Sequence, residues 1–181
     1  DETQRMEGSV VVVGGGNVAV DCARTAVRFG ASKVSMVCLE SRETMPAAAD
    51  EIAEAEEERI EICAGWGPKE LLKNENGHVT AVVFKKCLRT IDPETGKFAP
   101  VYDENETITL PADHVVFAIG QTIEWGGLLK DTKVEYHRGN YPVADPLTYQ
   151  TAEEDIFVGG DVYHGPKFVI DAIEEGKCAA E

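Results

Sequence analysis

The sequence is short of positive charge. Lys and Arg number 17 against 33 Asp and Glu, a formal net charge of −16. Nucleic acid and anionic membrane surfaces both select clustered cations, so neither is expected as a partner. Apolar runs long enough to span a membrane are missing, and the leading residues do not read as a signal peptide. None of the five cysteines (Cys22, Cys38, Cys63, Cys87, Cys178) stands in a C-x-x-C pair, which argues against a zinc site or a redox dithiol. Isolated thiols in odd number fit reduced packing residues of a cytoplasmic protein. There is no internal repeat and no low-complexity tract. His114, at a strand start, and His164, in a loop, lack a Ser or Cys partner for nucleophilic catalysis. No metal-ligand set and no side-chain acid or base catalyst are expected. Hydrophobic residues still make up 43% of the chain, enough for a packed core.

What is present is organised around Val10-Val11-Val12-Val13-Gly14-Gly15-Gly16-Asn17-Val18-Ala19. Four valines in a row predict a strand buried on both faces. The Ala-rich run from Asn17 to about Phe29 predicts a helix with Val18, Cys22, Ala26 and Phe29 at helical spacing, and Gly30 as its stop. Between the two, Gly14-x-Gly16-x-x-Ala19 fits a dinucleotide-binding fingerprint. Gly14 allows the tight turn, Gly16 lets the backbone approach a pyrophosphate, and Ala19 lets the helix pack close to the sheet. The helix N-terminus offers free N–H groups to phosphate. The plainer reading is a tight strand-to-helix turn without a ligand.

A second strand is predicted over Lys33–Leu39, closing a right-handed βαβ unit. Glu40 follows directly, about 20 residues past the fingerprint, where a carboxylate accepts hydrogen bonds from the adenosine ribose and disfavours an added 2′-phosphate. It reads otherwise as an ordinary loop carboxylate. Ser41 continues the loop, and Arg42 either stacks on adenine or pairs with a 2′-phosphate. An acidic, solvated helix is predicted over about 47–59, then a strand over 60–63. Asn76-Gly77 between two apolar runs signals a hairpin, and strands over 79–88 and 107–110, with polar loops at 92–96 and 103–106, predict an antiparallel meander in place of a crossover helix. His114–Gly120 predicts a buried parallel strand on the ligand side of the sheet. Gly120 either admits a cofactor or ends the strand. Residues 121–154 read as loops with short strands, Asp155–Asp161 as a strand, and about 166–180 as a helix started by Pro166 with Phe168, Val169, Ala172 and Ile173 as its apolar face. Tyr163 and Lys167 mimic the pair of short-chain dehydrogenases, but Gly165 and Pro166 between them make the match accidental. Asp1–Gly8 reads as a loose polar leader.

Three blocks together, Val12–Ala26, Ala118-Ile119-Gly120-Gln121, and Gly159-Gly160-Asp161-Val162 with Gly165-Pro166 and Val169–Lys177, resemble the small (beta) subunit of glutamate synthase and its flavoprotein relatives, including the flavin part of dihydropyrimidine dehydrogenase. The resemblance implies an α/β fold: a Rossmann-like parallel sheet with an antiparallel β-meander insertion, three layers in all, plus the C-terminal part of an FAD-binding domain. It implies an NAD(P)H-binding domain over residues 1–121 and a connection with an incomplete FAD-binding domain over 122–181. Gly14, Gly15, Gly16, Asn17 and Val18 would hold NAD(P)H with Glu40, Ser41 and Arg42. Ala118, Ile119 and Gly120 would cross back towards the FAD domain. Gly160 and Asp161 would contact FAD, and the helix after Pro166, Lys167 and Phe168 would point its N-terminus at the flavin.

Two departures from the family pattern carry expectations. Relatives that use NADPH show paired arginines after the second strand, where this chain has Leu39 and Glu40, so NADH is favoured. The family's N-terminal FAD fingerprint and iron–sulfur cysteines have no counterpart in this sequence. The expected partners are therefore a missing FAD-binding half of the same polypeptide and an iron–sulfur or other redox subunit. The expected function is to place the nicotinamide against FAD for hydride passage, with the isolated chain inactive and colourless. The alternative is a stand-alone dinucleotide-sensing or subunit-docking module.

Overall fold

The computed structural model describes residues 5–181, which divide into two compact units, the first ending at Ile119 and the second running Gly120–Glu181. In the first unit β1 (Ser9–Val13), β2 (Lys33–Cys38), β3 (Glu61–Ala64) and β7 (His114–Phe117) form a parallel sheet in the order β3-β2-β1-β7. The helices α1 (Asn17–Arg28) and α2 (Ala49–Glu57) connect β1 to β2 and β2 to β3. The strands β4 (Trp66–Lys73), β5 (Val79–Ile91) and β6 (Phe98–Pro111) form the antiparallel meander between β3 and β7.

The pleat of β1 explains the layering. Val10 and Val12 join Ala19, Val20, Ala23, Met36, Ile52 and Ala55 in the core beneath the helices. Val11 and Val13 point the other way and meet Val37, Val82 and Phe84 beneath the meander. Alternate side chains of one strand thus feed two cores, and a strand buried on both faces must be apolar throughout. Burying each such valine contributes about 1.5–3 kcal/mol. Helices, sheet and meander make the three expected layers.

The structure corrects several boundaries and faces. The face that α1 buries is Ala19, Val20, Ala23 and Ala26, whereas Val18 and Phe29 are exposed. Small residues let the helix sit close to the sheet, and Cys22, Ala26 and Phe29 line a cavity of about 600 Å³ beside His114 and Val116. The acidic α2 is not merely solvated. Arg24 of α1 reaches Glu51 at 3.3 Å and Glu58 at 2.8 Å and also pairs with Glu54, and Arg28 pairs with Glu58 at 2.7 Å. The Arg24 guanidinium holds the Glu58 carboxyl below the ordinary range.

The polar stretch 103–106 belongs to β6 rather than to a loop. A register shift between Lys85 and Lys86 absorbs it, and Glu104 meets Lys69 at 3.4 Å and Lys85 at 2.6 Å. β5 also runs past Leu88 to Ile91, because Asp92 turns the chain by accepting from the amides of Glu94 and Thr95. Of the leader, residues 1–4 lie outside the described residues. From Met6 onward it is fastened: Met6 N–H donates to Phe29 O at 3.0 Å and Ser32 N–H to Gly8 O at 2.8 Å. Among the described residues no helix is long and apolar enough to cross a membrane.

The second unit holds α3 (Asp161–His164) and α4 (Val169–Ala180). The strand expected over Asp155–Asp161 is absent, and Phe157 makes only an isolated bridge with Gln150. The expected short strands of 121–154 reduce to such bridges, Tyr136 with Pro142 being the other. α4 begins at Val169, so Pro166 lies ahead of the helix rather than in its first turn. Asp171 accepts from the Phe168 amide at 3.0 Å and closes that end. The expected apolar face is not covered: Phe168, Val169, Ile170 and Ile173 are all exposed, and the one buried residue of α4 is Glu175. Tyr163 lies in the single turn of α3, which ends at Gly165 with φ +81°, so it shares no helix with Lys167.

Candidate functional site

The strand β1 stops because Gly14 is clamped from both sides. Its N–H donates to Val37 O of β2 at 2.8 Å, and Ala118 N–H donates to Val13 O at 2.7 Å. A Cβ on Gly14 would lie 2.3 Å from Ala118 O, at a φ of +146° that side chains rarely adopt. A Cβ on Gly15 would lie 2.9 Å from the Cβ of Cys38 and 3.0 Å from the Glu40 carboxylate. The first two glycines are therefore required by the protein's own packing.

Gly16 differs. Its φ is −93°, which any residue adopts, and nothing stands within 4 Å of the position its Cβ would take. Gly16 caps α1, where Ala19 N–H is bonded to Gly16 O at 2.9 Å and Val20 N–H at 3.2 Å. The amides ahead of Ala19 have no intrahelical acceptor, as at every helix start, and the helix dipole adds partial positive charge. No acidic side chain lies in this first turn. An open helix N-terminus with partial positive charge is the kind of cradle that accommodates phosphate.

The loop after β2 is tied to this cradle. Ala47 N–H donates to Gly15 O at 3.0 Å, and Ala48 N–H donates to the Asn17 side-chain oxygen at 2.8 Å. Asn17 therefore holds the loop as well as opening the helix. Gly65 N–H donates to Glu40 O at 2.8 Å, which fixes Glu40 at the other end of the loop. Ser41 accepts no role in the cradle itself: its N–H donates to Thr44 Oγ1 at 3.1 Å within a local turn. Arg42 turns to Glu56 of α2 at 2.7 Å. Beneath the turn, burial first and then the neighbouring Glu40 push the Cys38 thiol up to about 11, so it is a protonated packing group at neutral pH.

The structure thus brings Gly14, Gly15, Gly16, Asn17, Val18, Glu40 and Ala118 to one end of the sheet, at the carboxyl ends of β1, β2 and β7. Ile119 is exposed, and Gly120 has a φ of +109° with open space around it. β7 has already ended at Phe117, so Gly120 does not terminate the strand.

In the second unit Gly160 has a φ of +69°, and a Cβ there would lie 3.2 Å from the Cβ of Ala172. Asp161 accepts from the Lys167 amide at 3.3 Å, which folds Pro166 and Lys167 back towards the Gly160 turn. His164 Nδ1 meets a carboxylate rather than a Ser or Cys: its partner is Glu175, which also accepts from Gly160 N–H. Burial pushes the Glu175 carboxyl up, but Gly160 N–H, His164 and Lys167 outweigh it and hold the group below the ordinary range. Glu175 and Glu56 are the residues that sequence reasoning passed over. Each sits among several acidic neighbours and is distinguished only by what the fold sets opposite it.

A family model described as pyridine nucleotide-disulphide oxidoreductase matches residues 2–176. The beta subunit of the NADP(+)-dependent formate dehydrogenase of Moorella thermoacetica is 36% identical over 99% of this chain and 25% of its own length. The NADPH glutamate synthase small chain of Escherichia coli K12 is 36% identical over 97% of this chain and 38% of its own. The chain thus spans about a quarter to two-fifths of these relatives. The thioredoxin reductase of T. acidophilum shares the fold, with a TM-score of 0.74 at 21% identity over 95% of this chain and 50% of that one.

Proposed function

The chain belongs to the pyridine nucleotide-disulphide oxidoreductase family, and from that premise we propose that it is the dinucleotide-binding part of a flavoprotein that passes a hydride between NADH and FAD. The observation that carries this is Gly16, a helix-capping glycine that neither backbone conformation nor packing requires. In this reading the amides of Gly15 to Val18 hold the pyrophosphate, and Glu40 holds the adenosine ribose. Bound nicotinamide and flavin supply the redox chemistry, and the chain's own groups bind, orient and exclude water. Gly160, Asp161, Pro166, Lys167 and Phe168 are proposed to face FAD, with Ala118, Ile119 and Gly120 as the crossing segment.

The rest of the FAD domain is proposed to come from further polypeptide, as the greater length of the relatives suggests. The uncovered Phe168, Val169, Ile170 and Ile173 favour this over a self-sufficient sensing module. An iron–sulfur or other redox subunit is the proposed onward partner, and five free cysteines favour a reducing cytoplasm. The isolated chain is expected to purify colourless and to reduce no acceptor with NADH. Stoichiometric flavin absorbance would count against an incomplete FAD site.

The names of the relatives above carry NADP(+) or NADPH, and the proposal for this chain runs the other way because Glu40 stands beside Gly15. Fluorescence titration tests it: NADH is expected to bind more tightly than NADPH, and Glu40→Arg to narrow or invert the difference by roughly tenfold, the worth of one charge-assisted phosphate contact. Equal affinities in the unmodified chain would remove Glu40 from the argument.

A further inference from the structure

We propose that Glu56 is a positioning residue for cofactor choice, which works by holding Arg42 away from a 2′-phosphate. The inference rests on the dinucleotide reading of the glycine turn and adds to it the fate of the one cation in its loop that faces this decision.

Arg42 lies two residues beyond Glu40, in a loop tied at Glu40 O, Ala47 N–H and Ala48 N–H. Its backbone is thereby fixed near the ribose end of the proposed site, and only its side chain chooses a partner. The guanidinium donates to Glu56 Oε1 at 2.7 Å. The side chains are 40% and 52% exposed, so the pair is a surface contact of small net worth. A dianionic phosphate would compete well for a free Arg42, but it must first displace Glu56. The Glu43 carboxyl is held below its ordinary value chiefly by the Ser41 side chain and its own backbone, with Arg42 adding the least, so Glu43 is a second neighbouring charge. The other carboxylates of α2 with cationic partners are taken by Arg24, which pairs with Glu51 and Glu54. Glu56 alone among them meets Arg42. Two carboxylates would then act in series: Glu40 favours the free ribose hydroxyl, and Glu56 removes the cation that a 2′-phosphate would use.

The test is titration of the chain with NADH, NADPH and 2′,5′-ADP. Glu56→Gln is expected to tighten NADPH and 2′,5′-ADP by roughly two- to fivefold, the scale of an exposed ion pair, with NADH unchanged. Glu57→Gln removes the same charge from the same helix and is expected to give no gain. Adding Arg42→Ala to Glu56→Gln is expected to erase the gain. Unchanged NADPH affinity in Glu56→Gln, an equal gain in Glu57→Gln, or a gain that survives Arg42→Ala overturns the proposal and leaves the dinucleotide site standing. Failure of the unmodified chain to bind either dinucleotide overturns the site reading and this inference with it.

Discussion

Gly14→Ala and Gly16→Ala are expected to fail in opposite ways. At Gly14 the added methyl would lie 2.3 Å from the backbone oxygen of Ala118, at a φ of +146°. Neither side can give, since Ala118 is bonded to Val13 and Gly14 to Val37. Overpacking and backbone strain each cost about 1–3 kcal/mol, so a loss of roughly 3 kcal/mol or more is expected. That is a large share of a domain's stability, and thermal unfolding should show it directly. At Gly16 the methyl meets nothing within 4 Å, at an ordinary φ. Replacing a capping glycine by alanine costs under about 1 kcal/mol, so the melting curve should barely move. The methyl would occupy the cradle instead. Losing one charge-assisted contact to phosphate weakens NADH by roughly ten- to a hundredfold. Gly16→Val should extend that loss to no measurable binding. A Gly16→Ala protein that binds NADH as before would show that the cradle is not the phosphate site.

How far the sequence reaches depends on whether a residue's partner is local. The Val10–Val13 run forces a two-sided strand, and the glycines and small residues after it force the turn and the close helix, so this half of the fold follows from neighbours in the chain. The meander was legible from Asn76-Gly77 and alternating apolar runs. Its extent was not, because residues 103–106 are polar by composition and are kept in β6 by Lys69 and Lys85, which lie far away in sequence. The buried face of α1 differs from the apolar spacing of its sequence because size, not hydrophobicity alone, decides what fits against a sheet. Val18 is apolar yet 65% exposed, while Ala19 and Ala23 are fully buried. The second unit was least legible. An apolar stripe at helical spacing says that α4 has a face to bury but not that the surface covering it belongs to this chain. The engagement of Arg42 with Glu56 is a tertiary fact that no local pattern announces.

Glu175→Leu is expected to loosen the Gly160 turn more than any other single change in the second unit. The carboxylate is buried, accepts from Gly160 N–H and pairs with His164 Nδ1. Leucine would leave both groups without their acceptor, at a cost of roughly 3 kcal/mol given that each bond is to a charged group. Glu175→Gln keeps an oxygen for Gly160 and should lose less than half as much. Amide exchange at Gly160 to His164 reads the effect locally, without requiring the whole chain to unfold. The sign of the pH dependence follows from the lowered Glu175 carboxyl. Its contribution is complete above the ordinary carboxylate pKa of about 4.3 and is lost as pH falls through the lower folded value. Lys167 adds to this stabilisation, and burial opposes it. Protection of the turn should therefore hold from neutral pH down to about pH 5 and decline in stronger acid. In Glu175→Gln that acid step should vanish. A turn whose exchange is unaffected by either substitution would show that Gly160 is held by its left-handed backbone alone, and Glu175 would then have no part in positioning Asp161.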